Sequence, residues 1–490
     1  MKKLHIAIII IGIIFILIPA FHQNIWFDES YSVAIVKHNI ADIWNISGHD
    51  VHPPLYYWMV HIVYLIFGNN VIAFRLFSVL AIIILGILGY THIRKDFGEK
   101  TGILFSFLTY FLPIMNTYAE EIRMYSWSCL IVTLMCIYAY RFYKDKNKKN
   151  LILFGIFSIL SCYIHYYALV TAGLVNLILF IYLIVKIKSD KKSFINFIIL
   201  AVIQIILYIP WLTFLFGQID HVNSGFWIYI DSVKTTVELS SFQFRRQLDS
   251  TFSFDTHTII ALIASTCLYL YSIYGIYRGI REKHELKPMV LSCGIYLGVI
   301  LIVLAISLIK MPILFARYLM VMTGLYIFTF AYIISKEKGK AIPVIICAVI
   351  LILGCISNIT NILINYDSSN MKQIEYIKEN IQDDDILIYT NIGNGGVVAA
   401  FFPEYKQYFI NKDHWDVEVA YKAYGPGMET VYSFEDVLEN FHGRIWLIDS
   451  EGMGLWNEFP KDDIKVLKDK VEFKTKYQNY NYGIMLLEKE

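Results

Sequence analysis

Residues 151–185 read LILFGIFSILSCYIHYYALVTAGLVNLILFIYLIV, with no acidic or basic residue other than His165. Thirty-five residues are too many for one membrane-spanning helix and few for two, since a span takes about 20. Lys148 and Lys149 precede the stretch, and Lys186 and Lys188 follow it. Lysines at both ends favour the same side of a membrane, so the chain has to turn back in between. The polar group His165-Tyr166-Tyr167 is the natural place for that turn, and the stretch is predicted to form two short helices.

The same criteria applied along the chain give further apolar runs at 4–21, 71–92, 101–117, 124–142, 194–214, 257–277, 288–308, 314–334 and 341–363. With the two helices of the hairpin they make about eleven predicted spans, a polytopic α-helical membrane protein. The first run follows Lys2 and Lys3 and lacks a small-x-small cleavage pattern, so it is predicted to be a retained helix rather than a signal peptide. Composition agrees: 57% of the 490 residues are hydrophobic, 17% are charged, and the mean hydropathy is +0.52. A soluble domain carries about 25% charged residues. The net charge of +1 gives no sign of a nucleic-acid or strongly acidic partner. All seven cysteines lie in apolar runs, without zinc-site spacing, and are predicted to be small core residues rather than a disulfide framework.

Threaded this way, the segments on the side of the N-terminus carry 21 Lys and Arg residues. The opposite loops and helix ends carry 8. The positive-inside rule then puts the N-terminus in the cytoplasm and the C-terminal tail outside. That tail, 366–490, is polar. It has strand-like runs at Ile386–Tyr389 and Ile445–Ile448 and helix-like runs at Met371–Ile381 and Phe434–Phe441, the pattern of a small extracytoplasmic α/β domain. Asn391-Ile392-Gly393-Asn394-Gly395-Gly396 follows a strand but lacks a Walker lysine, and is predicted to be a turn. The domain boundary is placed at 365, with the first outer loop, 22–70, assigned to the membrane domain.

Chemistry-bearing residues concentrate in that loop. Trp26-Phe27-Asp28-Glu29-Ser30-Tyr31 comes first, and Gly48-His49-Asp50-Val51-His52-Pro53-Pro54-Leu55-Tyr56-Tyr57-Trp58 follows. Adjacent carboxylates at a membrane boundary are costly to desolvate. One of the pair Asp28 and Glu29 can serve as a general base while the other supports it or holds a metal; equally, both can simply end a helix in water. Glu29, His49, Asp50 and His52 form the candidate set for a divalent metal. The same Asp50, with Pro53 and Pro54, can instead cap and start the next helix.

These residues resemble the protein O-mannosyltransferases and their bacterial relatives, including the lipid A aminoarabinose transferases and other family-39-like enzymes, all of the GT-C glycosyltransferase fold. The likeness rests on the Asp-Glu pair after the first helix and on DVHPPL at 50–55. It extends to Tyr118-Ala119-Glu120-Glu121-Ile122-Arg123-Met124-Tyr125, to His165-Tyr166-Tyr167 and to Ala316-Arg317-Tyr318-Leu319, and covers about residues 5–335. After HPPL this chain has Tyr56-Tyr57 where the eukaryotic enzymes have Gly-Lys, which leaves the sugar and the acceptor open. The resemblance implies a polyprenyl-phosphate sugar as donor and an extracytoplasmic protein, lipid or wall glycan as acceptor. It implies inversion at the anomeric carbon, Asp28 as base, and Arg123 and Arg317 on the donor phosphate. Asp50, His52, Glu121, Tyr125, His165 and Tyr318 would position acceptor, sugar or loop. No certain cofactor is implied.

For Arg123 and Arg317 the alternative role is snorkelling at the interface, and for His165 a satisfied interface histidine. In the outer loop 217–256, Arg245 and Arg246 stand as further contacts or as a solvated face, and Phe226, Trp227 and Tyr229 as sugar-stacking or interfacial rings. Two other function classes remain: a flippase or transporter for a lipid-linked glycan, and a non-catalytic sensor with an outer ligand-binding domain. Polar groups clustered at one membrane face, without an internal repeat, argue against the first. The sensor gives no role to Asp28, Asp50 or Arg123.

Overall fold

Each of the eleven apolar runs folds as helix. The computed structural model describes residues 1–224, 228, 230–245, 255–412, 421–439, 441–449 and 454–489. Phe226, Trp227, Tyr229 and Arg246 lie outside the described residues. The first half contains α1 (Lys2–Leu17), α2 (Phe27–Ile35), α3 (Ile40–His49), α4 (Leu55–Phe67), α5 (Val71–Leu88), α6 (Arg94–Phe97), α7 (Glu99–Phe111), α8 (Pro113–Glu120) and α9 (Tyr125–Asp145). Then come α10 (Lys148–Ile164), α11 (Tyr166–Val185), α12 (Lys191–Ser224), α13 (Ser232–Ser241), α14 (Thr256–Arg281), α15 (Lys287–Ile309), α16 (Thr323–Ser335) and α17 (Ala341–Asn365).

The expected count of eleven spans is not reached. Among the described residues, eight helical stretches are long and apolar enough to cross a membrane, or nine if the bent pair α7–α8 is one span. That pair bends by 63° where Leu112 precedes Pro113, because proline forces the residue before it into extended backbone. The remaining two runs are α9 and α10. Helix α10 has 17 residues, short of a full crossing. Helix α9 has 21, but Tyr, Trp, Ser and Thr dilute its apolarity; it is buried among its neighbours and needs no continuous lipid-facing surface. By contrast α12 exposes Ile199, Ile205 and Ile206, as a lipid-facing helix does. The chain is a multi-pass membrane protein.

Two compact units result. The first comprises Met1–Ala20, Val51–Tyr56 and Arg75–Asn361. Helix α1 packs on α7, where His5 Nε2 lies 2.8 Å from Ser106 Oγ. The hairpin predicted at 151–185 is present as α10 and α11, turning at His165. Inside it, Ser158 Oγ donates to Gln204 Oε1 at 2.7 Å, and Asn176 Nδ2 donates to both Ser158 Oγ (3.0 Å) and Gln204 Oε1 (3.2 Å). These side chains hydrogen-bond one another between α10, α11 and α12. All seven cysteines are free.

The second unit comprises Phe21–Asp50, Tyr57–Phe74 and Ile362–Glu490. In this division the stretches 21–50 and 57–74 group with the tail. Its sheet runs β3-β2-β1-β4-β6-β5, with β1 (Ile386–Tyr389), β2 (Lys406–Ile410), β3 (Met428–Val431) and β4 (Gly443–Asp449) parallel. Strands β5 (Ile464–Lys474) and β6 (Asn481–Lys489) are antiparallel. The all-apolar β1 is buried along its whole length, as a central parallel strand should be. Helix α18 (Lys372–Asn380) and the short helix Glu435–Leu438 match the predicted helices.

The glycine-rich stretch at 391–396 is not a turn. It opens α19 (Ile392–Phe401), whose N-cap Asn391 accepts from Gly393 N (2.8 Å) and Asn394 N (3.3 Å). The glycines serve close packing. A Cβ on Gly395 would come within 2.8 Å of Tyr389 Cβ, and one on Gly396 within 2.7 Å of Tyr424 Oη and 3.2 Å of Ser30 Oγ. Ser30 and Tyr424 are themselves hydrogen-bonded at 2.7 Å. Helix α2 is thereby seated on α19, and further bonds fasten it. Lys37 Nζ donates to Ala400 O (2.9 Å), Tyr480 Oη accepts from Phe27 N (3.3 Å), and Asn24 Nδ2 donates to Asn365 O (2.7 Å).

Candidate functional site

In the first unit, four separate segments converge. His52 precedes the Pro-Pro step into α4. Glu120-Glu121-Ile122-Arg123 links α8 to α9. His165 links α10 to α11. Arg317 and Tyr318 lie on the 3-10 helix Ala316–Met322. Arg123 Nη2 donates to His52 Nε2 at 3.2 Å. A guanidinium has no acceptor, so His52 is neutral there, with its proton on Nδ1. Arg123 is 4% exposed. A buried cation at the end of a membrane helix is costly unless something compensates it, which raises its standing as a functional group.

His165 extends the cluster. Its Nδ1 accepts from Tyr167 N at 3.0 Å, which caps α11, and its ring centre lies 6.4 Å from that of His52. Tyr125 and Tyr318 flank it at 5.8 Å and 5.0 Å. Burial holds the His165 imidazole well below its ordinary pKa, and the Arg123 guanidinium pushes the same way. At neutral pH, then, two uncharged imidazoles face one buried guanidinium among tyrosines. Tyr167 sets the height of the Arg317–Tyr318 helix: its hydroxyl donates to Ile313 O (2.9 Å) and accepts from Phe315 N (3.2 Å). The Arg317 guanidinium lies 4.9 Å from the Phe315 ring centre.

Two features were not legible in the sequence. Arg75, fully buried in an apolar run, donates from Nη1 to Glu120 O at 3.0 Å. It fixes the turn that carries Glu121 and Arg123; the only signal was a lone arginine inside a span. Glu238 on α13 lies 3.7 Å from Arg245, and both are buried. Burial raises the Glu238 pKa, opposed by Arg245, Lys234 and Arg317. Arg245 is therefore no member of a solvated face.

The remaining predicted residues lie in the second unit. Asp28 and Glu29 occupy the first turn of α2. Glu29 is fully buried and accepts from Trp26 N (3.3 Å) and from Tyr477 Oη (3.0 Å). It accepts the N-cap residue's backbone N–H and anchors the helix to the tail, so it does not simply end a helix in water. Asp28, one position earlier, is half-buried. Asp50 is the C-cap of α3, its N–H donating to Ser47 O at 3.3 Å. His49 is exposed, with Nδ1 donating to Asn45 O at 2.8 Å. Among the described residues no three His, Cys, Asp or Glu side chains converge in a way that could hold a metal ion. Glu29, His49, Asp50 and His52 do not form such a group.

Comparison with known proteins locates these observations. Residues 51–214, which include His52, Glu121, Arg123 and His165, match the family described as dolichyl-phosphate-mannose-protein mannosyltransferase. No curated protein matches the chain in sequence. In structure it is similar to ArnT from Cupriavidus metallidurans bound to undecaprenyl phosphate, with a TM-score of 0.58 and 10% identity over 99% of this chain and 97% of that one. It is also similar to the Archaeoglobus fulgidus oligosaccharyltransferase in complex with Zn and sulfate, with a TM-score of 0.52 and 10% identity over 90% of this chain and 68% of that one.

Proposed function

We propose that this chain, which has the GT-C fold of those membrane glycosyltransferases, is itself a glycosyltransferase that moves a sugar from a polyprenyl-phosphate donor to an acceptor outside the cytoplasm. The observation that carries the reading is the buried Arg123, hydrogen-bonded to a neutral His52 beside His165, Tyr125 and Tyr318. A guanidinium matches two phosphate oxygens at once and keeps its charge at any working pH. Neutral imidazoles beside it orient it without adding competing charge. The ArnT structure was solved with a polyprenyl phosphate, and the matched family is named for a prenyl-phosphate mannose donor.

In this mechanism the leaving group is a lipid phosphate, so the enzyme's main tasks are to deprotonate the acceptor hydroxyl and to neutralise phosphate charge. Asp28 takes the proton. Arg123 grips the phosphate and Arg317 assists. Tyr125, Tyr318 and His165 shape the sugar side, while Asp50, His52 and Glu121 hold the loops that present them. Direct displacement inverts the anomeric centre. The orientation follows the lysine and arginine distribution: N-terminus in the cytoplasm, reaction and C-terminal unit outside, in the cell membrane.

The test is Arg123→Lys. Lysine keeps the charge but loses the planar fork. Expression is expected to hold, while affinity for a polyprenyl-phosphate sugar falls about tenfold or more, equivalent to about 1.4 kcal/mol. Unchanged donor affinity in a well-expressed variant overturns the assignment of Arg123. Loss of glycan transfer but not of lipid-glycan translocation in the same membranes separates the enzyme from a flippase.

A further inference from the structure

At the far end of α9 from Arg123 the first unit encloses a second cavity, of about 240 Å³, walled by α9, α11, α15 and α16. From Tyr125 to Thr133, the first α9 residue in the cavity wall, a helix rises about 12 Å, and none of the residues in the cluster around Arg123 lines the cavity. It exceeds the ~150 Å³ apolar cavity that takes benzene, and has room for a stretch of hydrocarbon chain. Its wall is almost wholly apolar. Its two aliphatic hydroxyls are satisfied by backbone, Thr133 Oγ1 donating to Cys129 O (2.7 Å) and Ser292 Oγ to Leu325 O (2.9 Å); the other hydroxyls in the lining belong to Tyr140, Tyr143 and Tyr182.

The cavity's polar rim is cationic and aromatic. Lys287 lines it, is exposed, donates to Tyr143 Oη and stands 4.7 Å from the Tyr143 ring centre. Lys146, the left-handed cap of α9, holds its ammonium 4.4 Å from the centre of Tyr182, another wall residue. Lys144 beside it pairs with Glu285 at 3.1 Å, and Asp145 accepts from Asn147 N and Asn150 Nδ2. Glu285 is held by Lys144; Lys146 Nζ donates to Phe142 O (3.4 Å) and Tyr143 O, and Lys287 Nζ to Tyr143 Oη, so each rim ammonium keeps at least one N–H for an anionic head. An apolar slot between membrane helices, opening under two lysines and two tyrosines at a helix end, matches a lipid with an anionic head and a hydrocarbon chain.

We propose that this cavity is a structural lipid site that holds one acyl chain of an anionic glycerophospholipid from the leaflet at the lysine-rich end, with the headgroup phosphate on Lys146 and Lys287. The occupant differs from the proposed donor in position and in head chemistry, and stands whether or not the chain transfers sugar. The test uses the full chain in detergent with phosphatidylglycerol carrying a photoactivatable diazirine in one acyl chain, and phosphatidylcholine carrying the same chain as control. Phosphatidylglycerol is expected to label peptides of α9, α11 and α15 at least fivefold more than phosphatidylcholine. Lys146→Gln with Lys287→Gln is expected to reduce that labelling to the control level. Cys136→Phe, which fills the slot, is expected to abolish labelling of the α11 peptide; should it fail to fold, the lysine pair and the competition below still decide. Equal labelling by the two lipids overturns the proposal. So does labelling that survives both lysine changes and is displaced by undecaprenyl phosphate, which would make the slot a seat for a prenyl tail.

Discussion

Gly396→Ala tests whether the first outer loop and the tail form one folded unit. The added methyl would sit 2.7 Å from Tyr424 Oη and 3.2 Å from Ser30 Oγ. Tyr424 is 7% exposed, so its ring has little room to retreat, and its hydroxyl is tied to Ser30 at 2.7 Å. Overpacking of this kind costs about 1–3 kcal/mol, and loss of the Tyr424–Ser30 bond adds about 1 kcal/mol. Alanine in the interior of α19 returns about 1 kcal/mol of helix propensity. The net is a destabilisation of about 1–3 kcal/mol, so crowding wins over propensity. Adding Tyr424→Phe removes the crowding atom and should bring the double variant to within about 1 kcal/mol of the Tyr424→Phe single variant. Denaturant titration of the purified full chain, with hydrogen exchange on α2 and α19 as local readout, measures both. A Gly396→Ala protein as stable as the parent, with α2 protection unchanged, would refute the packing of α2 on α19.

Asp28→Asn keeps the size of the proposed base but not its proton affinity; kcat is expected to fall by about 10²–10⁴-fold with donor binding retained, and near-normal turnover discards the assignment. The depressed pKa of His165 makes a pH prediction with a definite sign. Above about pH 6.5 neither folded nor unfolded state holds that proton, so its contribution is fully present; below it only the unfolded state takes one, and stability falls as pH falls toward the folded value. His165→Asn, which can still cap Tyr167 N, should flatten the stability loss between pH 7.5 and 5.5 relative to the parent; an identical loss in both proteins contradicts a buried neutral imidazole. For topology, an impermeant thiol reagent should label Ser232→Cys in intact cells and Ser189→Cys only after permeabilisation. Both serines are exposed, unlike His165, which is too buried to carry such a probe. The reverse pattern inverts the orientation.

The helices were legible because each span must be apolar over a continuous run, a local property. Strands β1 and β4 were legible for the same reason, being uninterrupted apolar runs buried on both faces. What stayed hidden depends on distant partners. Gly393, Gly395 and Gly396 argue against a helix by propensity, yet α19 forms, and two of them, Gly395 and Gly396, stand where Tyr389 and Tyr424 leave no room for a side chain. The allegiance of 21–50 to the tail rests on bonds such as Glu29 to Tyr477, which no local pattern announces. Within the site, His52, Arg123, His165 and Tyr318 stood out because polar groups at span ends are few. Arg75 did not, because its bond to the Glu120 carbonyl has no sequence signature.

The pairing of Ser30 with Tyr424 spans 394 positions of the chain. At about 5–20 residues per second, ~20–80 s separate the synthesis of one partner from that of the other. Throughout that interval the Phe27–Ile35 segment has been made and its α19 surface has not. A ribosome stalled before residue 392, or a gene truncated there, would yield membrane helices already inserted beside a segment whose polar caps have no counterpart. Quality control of this protein therefore has a natural checkpoint late in translation, and nonsense mutations near its 3′ end should be as damaging as those near the start.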